Sequence, residues 1–225
     1  MARLDDPYAY CSAVKLQVGM QYTPTILDGL NKLSETCDTS TDQGLHQLLL
    51  DMVLLLQRNE ANWRYAHVER ALSSSEDEGR EAGATLQRWG VEGQSKWGDG
   101  QDYSDKNTPQ GVTEYVVVTM LVSCYGIVCA GDGDEVKIRN STDLKKVVTA
   151  ISGVQVDELI QLDVQWLPEE KGDSMSGLEV TVKFPEMMIS SPLSLFPRVS
   201  FSLVERGDGG PVPAEACFCF IDAGR

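Results

Sequence analysis

A chain of 225 residues, 42% of them hydrophobic, can bury about 70% of the surface its unfolded form exposes, so neither a metal nor a disulfide is needed to hold it together. The formal net charge is −15, from 34 acidic against 19 basic residues. No Lys/Arg cluster interrupts that acidity, which excludes nucleic acid as an expected partner, because phosphate binding depends on clustered cations that release counterions, and an anionic lipid surface would repel the chain on average.

Residues 1–13, beginning MARLDDPYAY, read as an acidic lead with no hydrophobic signal core. Val14, Leu16, Val18 and Met20 then alternate with Lys15, Gln17, Gly19 and Gln21, the pattern of a half-buried strand. Thr23 before Pro24 predicts a helix start, with an N-cap followed by the residue best tolerated in the first turn. Ile26, Leu27, Leu30 and Leu33 continue that helix, which should stop near Cys37. Ser40 and Gln43 have the spacing of a capping box opening a second helix. Its residues Leu45, Leu48, Leu49, Met52, Val53 and Leu56 recur at helical spacing, and Leu50, Leu54 and Leu55 widen the stripe. A helix this apolar is expected to be buried on most sides and to cross one face of the core.

The stretch from Asn62 to Leu72 suits a helix or a strand, with Trp63 and Tyr65 favouring the strand. Ser75 with Glu78 predicts another capping box, opening a polar helix that carries Leu86 and Trp89. Gly90 to Gly111, rich in Gly, Asp, Ser and Asn, reads as a mobile loop. Glu114 to Cys124 (EYVVVTMLVSC) is almost continuously apolar and β-branched, the signature of a central strand covered on both faces. The apolar run Val116 to Ala130 is broken by Thr119, Ser123 and Gly126 and falls short of the ~20 residues that span a bilayer. The chain is therefore expected either to be soluble or to follow an upstream targeting or membrane segment.

Asn140 or Ser141 should cap a short helix burying Leu144, Val147, Val148 and Ile151. Ile160, Leu162, Val164 and Trp166 alternate as a one-face strand ended by Pro168. Leu178, Val180, Val182 and Phe184 alternate as a further strand, and 198–204 with 214–221 suit a hairpin around the Gly207–Gly210 turn. The predicted architecture is α+β: a three- to four-stranded sheet backed by helices over 14–185, with a β-rich C-terminal extension over 186–225.

Chemistry-bearing patterns are sparse. His46 and His67 are the two histidines, fewer than the three or four His or Cys ligands of a zinc site. No GxSxG, P-loop or GxGxxG fingerprint occurs. The loop GDGDE at Gly131–Glu135 lacks the glycine and glutamate register of a calcium-binding EF-hand and reads as a solvated turn. The six cysteines, Cys11, Cys37, Cys124, Cys129, Cys217 and Cys219, form no CxxC pair and are expected as buried thiols in a reducing compartment. No catalytic, cofactor-binding or metal-binding residue is therefore expected. Interaction residues remain. Trp63 suits either the core or an interface and Trp166 suits the core by its strand parity, while Trp89 and Trp97, in polar surroundings, and Phe196, Phe218 and Phe220 in the extension are the candidate interaction side chains.

An ordered set of segments also resembles a known family. These are VGM at Val18–Met20, DTST at Asp38–Thr41 followed by Gly44-Leu45, EYVVVTMLV at Glu114–Val122, DLKKVV at Asp143–Val148 and VQWLPEE at Val164–Glu170, with DSMSGLEVTVKFP at Asp173–Pro185 a degenerate closing segment. Together they resemble a domain of unassigned biochemical function found in cyanobacteria and chloroplasts, one that includes the plant fluctuating-light acclimation proteins. The family's closing segment looks helical where the alternation here predicts a strand, and the loop around Gly98–Asn107 departs from the family's pattern. Many members also carry an N-terminal hydrophobic, glycine-rich region that this chain does not contain.

The resemblance implies a non-enzymatic accessory or regulatory protein of the photosynthetic (thylakoid) membrane. Such a protein would dock to a membrane protein complex, with a peripheral photosystem-associated subunit as one form, from the stromal side of the chloroplast thylakoid, with membrane contact indirect or through a segment outside this chain. The competing expectations are a hydrolase-like enzyme using Asp or Cys at an unfamiliar site, and an ion sensor using the Gly131–Glu135 loop.

Overall fold

The computed structural model describes residues 9–77, 79–96, 114–129, 136–168 and 175–189. They belong to the first of the two units into which the chain divides, Met1–Pro192 and Leu193–Arg225. In chain order the elements are β1 (Tyr10–Gln21), α1 (Pro24–Thr36), α2 (Asp42–Arg58), β2 (Trp63–Ser74), α3 (Arg80–Ser95), β3 (Glu114–Tyr125), α4 (Ser141–Ile151), β4 (Leu159–Leu167), β5 (Met175–Ser176), α5 (Gly177–Lys183) and β6 (Met188–Ile189). The sheet runs β4-β3-β1-β2-β6, with β5 added to the end of β3, and every pairing is antiparallel. The α+β class expected from the alternating elements holds, in a sheet with four long strands and two strands of two residues.

The even-numbered side chains of β1 (Val14, Leu16, Val18, Met20) face the larger core, with Val116, Val118, Met120 and Val122 of β3 beside them. Helices α1, α2 and α4 close that face through Ile26 and Leu30, Leu49 to Leu56, and Leu144 to Ile151. The opposite face is covered in two places. Helix α3 sets Ala82, Leu86 and Trp89 on Cys11, Ala13 and Leu121, and α5 sets Val180 and Phe184 on Val117 and Met175. Strand β3 is thus covered on both faces, as its continuous apolar run requires. Strand β1 is covered on both faces as well: all of Cys11–Met20 is buried, where the alternation predicted a strand with one wet face.

Local chemistry explains the element boundaries. Pro24 opens α1 and Cys37 ends it. The cap of α2 is Thr41 rather than Ser40: its Oγ1 accepts the Gly44 N–H at 3.0 Å. Ser40 is occupied by Asp38, whose Oδ1 accepts both its N–H and its hydroxyl proton, and those two bonds hold the Asp38 carboxyl below its ordinary value. Gly44 is required there because a Cβ would overlap the Asp38 carbonyl oxygen, so the DTST…G motif is a self-contained turn. Asn140 caps α4, accepting the Asp143 N–H at 2.9 Å.

Four expectations are corrected. The segment 178–184 forms helix α5, not a strand. Its start is a complete capping box, with the Glu179 N–H donated to Ser176 Oγ and the Ser176 N–H to Glu179 Oε2, and the apparent alternation leaves Leu178 62% and Val182 45% exposed. Helix α3 starts at Arg80 after a left-handed Gly79 (φ 77°), with Asp77 accepting the N–H groups of Gly79 and Glu81, so the start is built by Asp77 rather than by a Ser75 capping box. The same helix continues through Gly90 to Ser95, a stretch read as loop. Finally, α2 buries only Leu49, Met52, Val53 and Leu56 and leaves Leu54 40% exposed, short of burial on most sides. The predicted loop over 97–111 (beyond Lys96), the Gly131–Glu135 turn and the 198–221 hairpin lie outside the described residues.

Candidate functional site

Where α3 and α5 leave the second face of the sheet between them, the strand register lines up polar side chains. Gln17 of β1 stands beside His67 of β2 on one side and Thr119 of β3 on the other, and Thr119 stands beside Gln165 of β4. Four polar residues therefore form one row across the four long strands. Gln17 is only 2% exposed. Its Nε2 donates to Thr119 Oγ1 at a long 3.5 Å, and its buried Oε1 has no partner among the described residues. Gln165 is better satisfied, donating to Asp163 Oδ2 at 2.8 Å and toward the Gly90 carbonyl at 3.4 Å. Helix α3 can lie this close because a Cβ on Gly93 would strike the Gln165 amide. The void left among Gly93, Thr119, Gln165 and Phe184 has room for about one water.

At the β2 end the row meets charge. Lys15 Nζ lies 2.6 Å from Glu69 Oε2 and 5.2 Å from the centre of the Trp89 ring, so a largely buried ammonium has both a carboxylate and an aromatic face. His67 Nε2 is 4.0 Å from the same Glu69 oxygen. Lys96 at the end of α3 pairs with Glu186 at 2.5 Å and lies 4.7 Å from the Phe184 ring, joining α3 to the segment after α5. Burial first, and then the Lys15 charge, hold the His67 imidazole below its ordinary value against the opposing pull of Glu186 and Glu69. Burial raises Glu186, but the Lys96 hydrogen bond and charge outweigh it and leave the carboxyl below its ordinary value. This seam can hold a proton away from His67 and tie two helices to the sheet.

A second feature lies on the outside of the other helical layer. Helices α1 and α2, joined only by residues 37–41, enclose a groove of about 410 Å³. Leu33, Leu54 and Leu55 line it, with Lys32, Asp51 and Arg58 among the flanking groups.

The expected interaction residues fare differently. Trp89 is 4% exposed and turned inward against Cys11, Ala13 and Leu121, so its ring is a core group beneath α3. Trp97, Phe196, Phe218 and Phe220 lie outside the described residues. Trp63 is fully buried, and Trp166 packs against the larger core. His46 hydrogen-bonds the Val154 carbonyl at 2.8 Å, tying α2 to the turn after α4. Among the described residues no group of three or more His, Cys, Asp or Glu could hold a metal ion, and no helix is long and apolar enough to cross a membrane. Cys11, Cys124 and Cys129 are buried free thiols and Cys37 is half-buried. Burial pushes Cys124 up to about 12 and Cys129 up to about 11, the behaviour of unreactive cysteines. Reading single strands missed Lys15, Gln17, Thr119 and Gln165 as a buried set. The available signal was β3: a strand covered on both faces obliges its neighbours' polar side chains to be covered too.

An antiparallel sheet enclosed by helices on both faces, with a polar seam under one layer and an open groove on the other, defines a mixed α+β domain. The chain belongs to the family described as "Protein of unknown function (DUF1517)", which matches residues 11–189. It is similar to "Protein FLAP1 homolog A" of Synechocystis sp. (strain ATCC 27184 / PCC 6803 / Kazusa), with 25% identity over 84% of this chain and 59% of that protein. It is also similar to "FLUCTUATING-LIGHT-ACCLIMATION protein 1, chloroplastic" of Arabidopsis thaliana, with 24% identity over 77% of this chain and 45% of that protein. The chain thus spans about half the length of these relatives. No solved structure matches it.

Proposed function

We propose that this chain is a non-enzymatic accessory or regulatory protein of the photosynthetic membrane, acting in the chloroplast on the stromal side of the thylakoid by docking to a membrane protein complex. The observation that carries the reading is the likeness, over most of this chain, to a chloroplastic protein named for fluctuating-light acclimation and to a protein of the cyanobacterium Synechocystis. Its physical support is the groove between α1 and α2, where Leu33, Leu54 and Leu55 lie among polar and charged side chains: surface available to a partner is offered there. Mild-detergent solubilisation of thylakoids followed by native-gel separation tests the proposal. Co-migration with a membrane complex is the expected result, and migration solely as a free monomer would overturn it. The hydrolase-like alternative is favoured by one observation, the lowered His67 and Glu186 beside one another in the seam. It requires turnover of an ester or peptide substrate that disappears in His67→Gln.

A further inference from the structure

The stripe on α2 is wider than the core it serves. Leu49, Met52, Val53 and Leu56 are buried, Leu55 and Leu33 of α1 pack partly against the same core, and Leu54 extends the apolar surface around the helix and into the groove. The two helices are drawn together at Gly29, where a Cβ would come within 2.8 Å of Leu55 Cδ1. The result is an apolar floor between two close helices, with Leu54 40% exposed upon it.

Charged groups adjoin this floor. Lys32 and Arg58 are among its lining residues, and neither has a carboxylate partner among the described residues. Asp51, the groove's own carboxylate, accepts the Gln47 side-chain amide at 3.1 Å. In a chain of net charge −15, the groove is therefore a place where one exposed leucine, Leu54, adjoins two cations with no carboxylate partner among the described residues.

We propose that the α1–α2 groove is the docking site for an amphipathic α-helix of a partner protein, its apolar stripe on Leu33, Leu54 and Leu55 and its acidic edge on Lys32 and Arg58. The occupant is a helix because both walls are helices. Their backbone groups are already bonded internally and offer no edge to an added strand, while a third helix packs by setting its ridge of side chains into the groove. Its acidic edge follows from the two unpaired cations, which would steer it and fix its orientation. The assignment deepens the docking reading above by naming the surface and the chemistry of what it receives.

The test titrates the full chain with a leucine-striped helical peptide edged with glutamate and with its lysine-edged counterpart. The glutamate-edged peptide is expected to bind at least about tenfold more tightly. Leu54→Glu should abolish binding with the circular dichroism spectrum unchanged, and the double variant Lys32→Glu/Arg58→Glu should reverse the preference. Absence of binding, indifference to edge charge, or insensitivity to Leu54→Glu would overturn the proposal. So would Leu54-dependent binding to phosphatidylglycerol vesicles without peptide binding, which makes the groove a lipid site, or Leu54-dependent self-association, which makes it an interface between copies. The thylakoid experiment separates the two levels. Co-migration by wild type and Leu54→Glu alike sinks the groove assignment and leaves docking standing, whereas a free wild-type monomer sinks docking while the titration still decides the groove.

Discussion

The two faces of the sheet are both buried but stabilise the fold by different means. On the first, Leu16, Val18, Met120 and their neighbours meet three helices with little polar interruption, and the stabilisation follows apolar area removed from water, about 25 cal/mol per Å². On the second, the apolar contacts of α3 and α5 lie on either side of Gln165, Thr119, Gln17 and His67, groups that lose water and recover little beyond one another. The first face supplies stability. The second supplies register: slipping β1 by one residue would drive Lys15 and Gln17 into the leucine core and turn Leu16 and Val18 into the polar row.

Substitutions on each face test that division. Leu16→Ala on the first face should cost the most, about 3 kcal/mol in denaturant unfolding; a loss under about 1 kcal/mol would mean that the face is loosely packed. On the second face Glu69→Ala should cost about 2 kcal/mol, because it leaves the buried Lys15 ammonium without its carboxylate. Lys15→Met, which removes the charge and keeps the bulk, should cost less than about 1 kcal/mol, and equal losses in the two would refute the desolvation argument. Gln17→Leu should change stability by less than about 1 kcal/mol in either direction, since it removes an unpartnered acceptor along with a weak donor. A cost near that of Leu16→Ala would show that the row is a tight network.

The smallest effect is one of pH. The folded-state value of His67 lies below its ordinary 6.5, so at mildly acid pH the unfolded chain binds more protons than the folded one. Stability is therefore full above the ordinary value of 6.5 and declines as pH falls from there toward the folded-state value. Thermal melts of His67→Gln at about pH 7.5 and pH 5.5 should show a shallower loss than wild type, and parallel losses would remove His67 from the account.

Legibility in the sequence divides along the same line. Apolar patterning, with cap residues at the helix starts, placed β1, α1, α2, β3, α4 and β4, because on the first face burial and hydrophobicity coincide. It failed on the second, where Lys15 and Gln17 carry the same pattern whether they face water or a row of polar partners. The α5 segment misled for a different reason: Leu178, Val180, Val182 and Phe184 have strand spacing and β-branched character, but Ser176 and Glu179 form a capping box, and a closed cap outweighs weak propensities over seven residues. Of the groove, the leucine excess on α2 was visible as a stripe too wide for one contact. That Lys32 and Arg58 flank it could not be seen without the turn that brings α1 against α2.

The strand order also sets a timetable for folding. Strand β1 is made first, yet it lies in the middle of the sheet, and its Gln17 side chain meets Thr119 across 102 residues of chain. Until β3 is synthesised, β1 can pair only with β2, leaving a row of open backbone groups beside fully apolar Leu16 and Val18. Nascent chains that stall before Glu114 should therefore be the species most prone to aggregate and most dependent on chaperones, with folding slowed by this long-range closure rather than by any local element.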